Sequence, residues 1–193
     1  MAHSQGDHEG IAHNDFTRMD ESTREQWQVI GEATVAHQPA VANRLLDMLR
    51  GMRGVKLGFG VDQLHHMLQT ATMARRANAA DEIVLCALLH DVGKYISVAN
   101  HGQIAAEILK PYVSRDAYQI VHTHQDFQGQ HYYEYFGMAT DKRERYRNEP
   151  WFDLAQQFTD EWDQAAFDPQ YKVLPLEEFE PLVRQFFAKF PGS

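Results

Sequence analysis

The chain has 193 residues, enough for one domain with a substantial buried core. A formal charge of −9 and a pI near 5.6, with no basic run, exclude a nucleic-acid backbone as partner. The single cysteine, Cys86, excludes an intrachain disulfide; with no long apolar run and no signal-peptide pattern, a cytoplasmic protein without membrane contact is expected.

Residues 1–20 are polar and rich in Gly, His and Asp, which predicts a flexible tail with His3, His8 and His13 solvated, ahead of a domain over 21–193. A helical pattern over Thr23–His37 carries Trp27, Ile30 and Val35. Pro39 then opens a helix with Val41, Leu45, Leu46 and Leu49 at helical spacing. Gly51, Gly54, Gly58 and Gly60 mark a connection too irregular for a phosphate loop. Asp62 is placed to cap a helix reaching about Asn78, and Asp81 to cap the next, which ends at His90-Asp91 and is stopped by Gly93. Ile83–Leu89 is apolar on every side, so that helix is expected to be buried all round. Patterns over His101–Leu109, Arg115 to about Gln125, Tyr132–Gly137, Trp151–Trp162 and Leu176–Phe190 complete the set. Arg143, Arg145 and Arg147, interleaved with Lys142 and Glu144, read as a solvated helix face. No alternating strand and no repeat is visible. The expected fold is all-α, a compact single-domain bundle of seven or eight helices.

His90 and Asp91 are odd neighbours for an apolar run, because burying an ionised carboxylate costs several kcal/mol unless it is paired or bound to a metal. A buried helix ending in His-Asp is most simply read as ending at a cation. On the preceding helix, positions 65, 69, 72 and 76 form a polar stripe, whereas 66, 70, 73 and 77 suit an interior. His66 is therefore the expected ligand and His65 sits near the rim. His101 begins one helix and His124 ends another, while His122 lies on the far side. Asp163 closes the next cluster, with Asp160 and Glu161 as alternatives that pattern alone does not separate. Together these side chains could hold two metal ions about 3.5–4 Å apart. Asp91 would bridge them, with His66, His90 and Asp163 on one ion and His101 and His124 on the other. Mixed imidazole and carboxylate ligands suit iron, manganese or zinc.

The order His…His-Asp…His…His…Asp resembles the HD-domain superfamily of metal-dependent phosphohydrolases, and its two extra histidines resemble the dinuclear branch. The segments over residues 63–71 and 85–91 are most similar to the HD-type mixed-valent di-iron oxygenases that cleave 1-hydroxyphosphonates, with inositol oxygenase a more distant relative. Asn100-His101-Gly102, residues 124–129 and Phe167-Asp168-Pro169 also resemble proteins often labelled predicted HD phosphohydrolase. The resemblance covers roughly residues 58–190. It implies the six ligands named, two iron ions as cofactor, and an anionic small molecule and dioxygen as partners. Asp91 and Lys94 would be the catalytic pair, and His65, Lys94 and Gln128 would contact substrate. Lys94 matches the lysine that follows the motif in inositol oxygenase, although the aminohydroxyethylphosphonate enzyme has histidine there. Those oxygenases also carry a lid tyrosine, and this chain has Phe59 but no tyrosine between Trp27 and His66.

Phe127, Tyr132, Tyr133, Tyr135 and Phe136 crowd the segment after His124. Aromatic faces attract a quaternary ammonium by about 0.5–2 kcal/mol per contact, so Tyr133 and Tyr135 are expected to receive one. That favours (1R)-1-hydroxy-2-(trimethylamino)ethylphosphonate as substrate, yielding glycine betaine and phosphate. A two-metal phosphohydrolase acting on a phosphate ester or nucleotide is the alternative, and a metal-binding regulatory domain without turnover the third reading.

Overall fold

Thr23 opens α1 (Arg24–His37) with a reciprocal cap: its hydroxyl accepts from the Gln26 N–H, and the Gln26 side chain accepts from the Thr23 N–H. In this computed structural model, which describes residues 14–188, no residue of α1 is buried. Asn14 and Phe16 lie along α1, through a 3.0 Å bond to the Gln26 carbonyl and a ring contact with Trp27. His3, His8 and His13 fall outside the described residues.

Pro39 starts α2 (Pro39–Gly51), which buries Ala42, Leu45, Leu46 and Leu49 along one stripe. Asp62 caps α3 (Gln63–Arg76) through a 2.8 Å bond from the His65 N–H. The polar stripe expected on α3 reaches the surface only at its ends, with Arg76 exposed and His65 half-buried. Gln69 and Thr72 are buried beneath the chain after Asp163, with Gln69 donating to the Ala165 carbonyl and Thr72 accepting from the Leu174 N–H. Ala80, not Asp81, is the cap residue of α4 (Asp81–Leu89); Asp81 is the first residue inside, where its charge complements the helix N-terminus. Ile83 through Leu89 are all buried, as the run of apolar residues dictates.

α5 (His101–Leu109) lies along α6 (Arg115–Gln128), α3 lies along α4, and α2 packs on α8 (Glu180–Phe187). The pattern expected over Trp151–Trp162 splits into α7 (Phe152–Gln157) and a π-helical turn, Phe158–Asp163, marked by the Gln164 N–H bonding back to the Thr159 carbonyl. Leu176–Phe190 likewise begins as a 3-10 turn before α8. Tyr133–Phe136 is one 3-10 turn rather than a longer helix. The arginine cluster is a solvated face only in part. Arg143 is part-buried and donates to both oxygens of Asp160 at 3.1 Å, whereas Arg145, paired with Asp126, and Arg147, paired with Glu144, are exposed. Among the described residues there is no strand, and no helix is long and apolar enough to cross a membrane.

Candidate metal centre

Six side chains from five parts of the bundle converge, each no more than 5 % exposed. His66 comes from α3, His90 and Asp91 from the end of α4, His101 from the first position of α5, His124 from α6 and Asp163 from the last position of the π turn. Two glycines permit the convergence. A Cβ on Gly93 would overlap the His101 carbonyl, so glycine lets the turn after Asp91 press onto the start of α5. A Cβ on Gly102 would stand 2.9 Å from Cε1 of His124, so glycine leaves room for that ring.

All four imidazoles are oriented the same way. Nδ1 of His66 donates to the Ala166 carbonyl at 3.1 Å, His90 to Ala87 at 2.9 Å, His101 to Val98 at 2.8 Å and His124 to Val121 at 2.6 Å. A carbonyl only accepts, so Nδ1 carries the hydrogen in each ring and a neutral ring presents a bare Nε2 lone pair inward. Orienting a ligand histidine through its other nitrogen is the usual support for metal ligation.

The inward atoms lie at ligand spacing. Nε2 of His66 and Nε2 of His90 are 3.2 Å apart, and Asp163 Oδ1 is 3.2 Å from each. Metal–nitrogen bonds of 2.0–2.1 Å place neighbouring ligand atoms about 3.0 Å apart in an octahedron and about 3.4 Å in a tetrahedron. Asp91 divides its oxygens between two pairs of histidines. Oδ2 is 3.4 Å from His66 and 3.6 Å from His90, while Oδ1 is 3.0 Å from His101 and 3.6 Å from His124. Asp91 Oδ1, Asp163 Oδ1 and His124 Nε2 are buried without a well-formed hydrogen bond. Orphaned acceptors facing one another are costly in a protein interior, and a cation among them satisfies all at once. The donor set therefore fits metal ions, with His66, His90 and Asp163 as one triad and His90, Asp91 and His124 as another.

Charge follows the same geometry in the metal-free protein. Burial opposes a charged His66, but hydrogen bonds to Asp163 and Asp91 outweigh it and raise the pKa to about 9. Burial would raise both carboxylates; the attraction of His90, with Lys94 and His101 for Asp91 and His66 for Asp163, instead holds them well below the usual range. Burial lowers the His124 imidazole in spite of nearby Asp91, which keeps it neutral and available. Cys86 is buried in α4, its thiol pushed up by burial, and takes no part.

Above the cluster opens a cavity of about 530 Å³, floored by His66, Asp91 and His101. Lys94 lines it, with its ammonium against Asp91 Oδ2 and 2.9 Å from Gln63 Oε1. Gln128 also lines it and donates to Asp163 Oδ2 at 2.5 Å, which leaves Oδ1 free for the histidines. Asp160, one of the alternatives to Asp163, is held instead by Arg143 and Gln130, and Glu161 is exposed. Three expectations need correcting. Tyr135 is 78 % exposed and Tyr133 packs against Gly129, so neither lines the cavity; Tyr132 and Phe136 do. His65 does not reach the cavity either. Missed from sequence were Gln63, which holds Lys94, and Phe167, which stacks on the His66 ring at 4.5 Å and on Phe59 at 4.8 Å. Phe167 stood within a segment noted only for its resemblance.

A comparison with curated proteins finds no match. The sequence model of the HD domain family matches residues 64–167, from the start of α3 to the residue stacked on His66. Proteins with this domain are typically metal-dependent enzymes. The match spans more than half of the sequence and encloses all six convergent side chains, so the chain belongs to the HD domain family.

Proposed function

We propose that this protein is a di-iron oxygenase that cleaves the C–P bond of a 1-hydroxyphosphonate. The observation that carries the reading is Asp91, whose two oxygens face two separate pairs of imidazole nitrogens, as a carboxylate bridging two metal ions must. His66, His90 and Asp163 would complete one ion's shell and His101 and His124 the other's. Two iron ions, with manganese or zinc as the alternatives, would supply the one-electron steps by which dioxygen reacts with a closed-shell alcohol.

The chain's own groups have defined tasks. The Lys94 ammonium, held by Gln63 and Asp91, has a proton left for an anionic substrate oxygen at the cavity floor. Gln128 fixes Asp163 so that one oxygen faces inward. Phe59, Phe167 and Tyr132 wall the cavity with rings, which limits water at the reacting carbon. The overall change is balanced: the hydroxyl-bearing carbon is oxidised to a carboxylate and its bond to phosphorus breaks. Both oxygen atoms of dioxygen are retained, one in the carboxylate and one in inorganic phosphate, and one proton is released.

A two-metal phosphohydrolase would use the same ligands, with a metal-activated water as nucleophile. Phosphate-ester clamps, however, commonly add arginine or further lysines, and Lys94 is the one lysine or arginine among the residues lining the cavity. The trimethylammonium substituent loses the two tyrosines on which it rested, so (1R)-1-hydroxy-2-(trimethylamino)ethylphosphonate is one test compound among several. The deciding experiment loads the protein with iron and follows dioxygen uptake together with phosphate release from 1-hydroxyphosphonates. The oxygenase reading expects the two in equal amounts and neither under strict anaerobiosis; phosphate released from esters without oxygen would install the hydrolase instead.

A further inference from the structure

The cavity is larger than a small zwitterion fills, and apolar side chains stand at its mouth. A trimethylammonium hydroxyethylphosphonate has eleven non-hydrogen atoms. Even at the roughly 30 Å³ that each water takes in the liquid, these fill about 330 Å³, less than two thirds of the space available. The remainder lies under a mouth built by three separate segments. Leu57 and Phe59 come from the α2–α3 connection, Val98 from the approach to α5 and Phe136 from the 3-10 turn after α6. All four are apolar, all line the cavity, and all are between 45 % and 71 % exposed. Apolar side chains delivered from three segments to one opening above a polar floor mark a binding surface more than a packing accident.

Leu57 adds an independent sign. Its φ of 48° lies in the left-handed region that glycine and asparagine tolerate and leucine rarely adopts. A half-exposed leucine that gains little burial and sits in strained backbone is a poor choice for folding alone, and such strain gathers at functional positions. The lining also argues against a cationic tail. It holds no carboxylate other than Asp91, which faces the metal cluster, and the ammonium of Lys94 stands on the same floor. A positive group there would stand near the Lys94 ammonium with no free carboxylate beside it, and only ring faces would receive it.

We infer that the substrate carries, beyond its anionic head, an uncharged apolar group of more than two carbons, alkyl or aryl, received by Leu57, Phe59, Val98 and Phe136. The inference deepens the oxygenase reading and rests on it for the phosphonate head alone.

The test separates binding from turnover. Methyl-, butyl-, hexyl- and octylphosphonate lack the 1-hydroxyl and therefore bind without reacting; their affinities for the iron-loaded protein are measured by calorimetry. Burial of each methylene is worth about 0.8 kcal/mol, which is close to fourfold in affinity, so the constants should rise by about that factor per carbon until the cavity is full. The neutral 3,3-dimethylbutylphosphonate should bind at least as well as its isostere 2-(trimethylammonio)ethylphosphonate. In Leu57→Asn, which relieves the backbone strain and so keeps the fold, and in Phe136→Ser, the octyl-to-methyl affinity ratio should fall at least tenfold. A flat series, a tenfold preference for the ammonium compound, or an unchanged ratio in both variants would each overturn the inference. A steep series without dioxygen uptake on the matching 1-hydroxyalkylphosphonates keeps the apolar tail and removes the oxygenase; uptake with a flat series does the reverse.

Discussion

At the scale of single residues, Asp91 turns one oxygen to each half of the cluster. Replacing it with alanine removes a negative charge and an oxygen ligand from each half, and it leaves the Lys94 ammonium with Gln63 alone. Asp91→Ala protein should therefore bind neither ion, which elemental analysis of anaerobically purified protein would read directly; one retained equivalent would show that the bridge is dispensable. Lys94→Ala should raise the Michaelis constant with little effect on the melting temperature, because Lys94 is only part-buried and its bonds point to the cavity floor. Equal Michaelis constants would return Lys94 to a structural role. The titration of His66 gives a third expectation. Its folded pKa, about 9, lies above the ordinary 6.5, so its contribution to the stability of metal-free protein is complete below pH 6.5 and lost as pH rises toward 9. The shift corresponds to about 3 kcal/mol, to be read from urea unfolding at pH 6 and pH 9.5 in chelator. The carboxylates act in the opposite sense: their depressed values stabilise above the usual carboxylate range and are lost only in strong acid.

At the scale of elements, the π turn decides where Asp163 points. A π turn holds one residue more than an α turn, and neighbouring positions on an α-helix differ by about 100° in direction. Deleting the exposed Glu161 should restore α geometry to Phe158–Asp163, swing Asp163 off the His66–His90 pair, and cost metal while the circular dichroism stays helical. Undiminished metal content would mean that the extra residue is absorbed elsewhere. Sequence pattern could not show this turn, because Phe152, Ala155, Phe158 and Trp162 keep ordinary helical spacing on both sides of it. The same blindness misplaced the tyrosines. The crowding of aromatic residues after His124 put Tyr133 and Tyr135 toward substrate, whereas one 3-10 turn sends Tyr133 under Gly129 and Tyr135 into solvent. Elements with strong apolar rows and punctuation were legible: α2 after Pro39, α3 after Asp62, the buried α4, and α5 opening at His101. Contacts between side chains distant in sequence were not, as with Gln128 on Asp163 or Gln63 on Lys94, since nothing local to a glutamine says what it will meet.

At the scale of the whole molecule, the buried cluster and the peripheral helix stand at opposite ends of stability. Ions that bind only the folded chain at a thousandfold their dissociation constant add about 4 kcal/mol, so chelation should lower the melting temperature by on the order of 10 °C. α1 buries no residue, while Gln38 just after it is buried and bonds Tyr112 and the Phe187 carbonyl. A chain begun at His37 should keep its metal and melt within a few degrees of the parent, as scanning calorimetry would show; collapse of the truncated chain would mean that α1 is covered in solution.

The convergence of His66 with the chain 100 positions later also fixes when the centre can exist. During synthesis, two histidine pairs and Asp91 leave the ribosome well before Asp163 and the Ala166 carbonyl that sets the His66 tautomer. Until then the nascent chain offers a partial set of donors with no closing carboxylate, a poor trap for scarce ions. Loading would thereby be deferred until the chain past Ala166 has emerged, and the choice of metal would fall to a closed cluster and not to whichever ion the growing chain meets first.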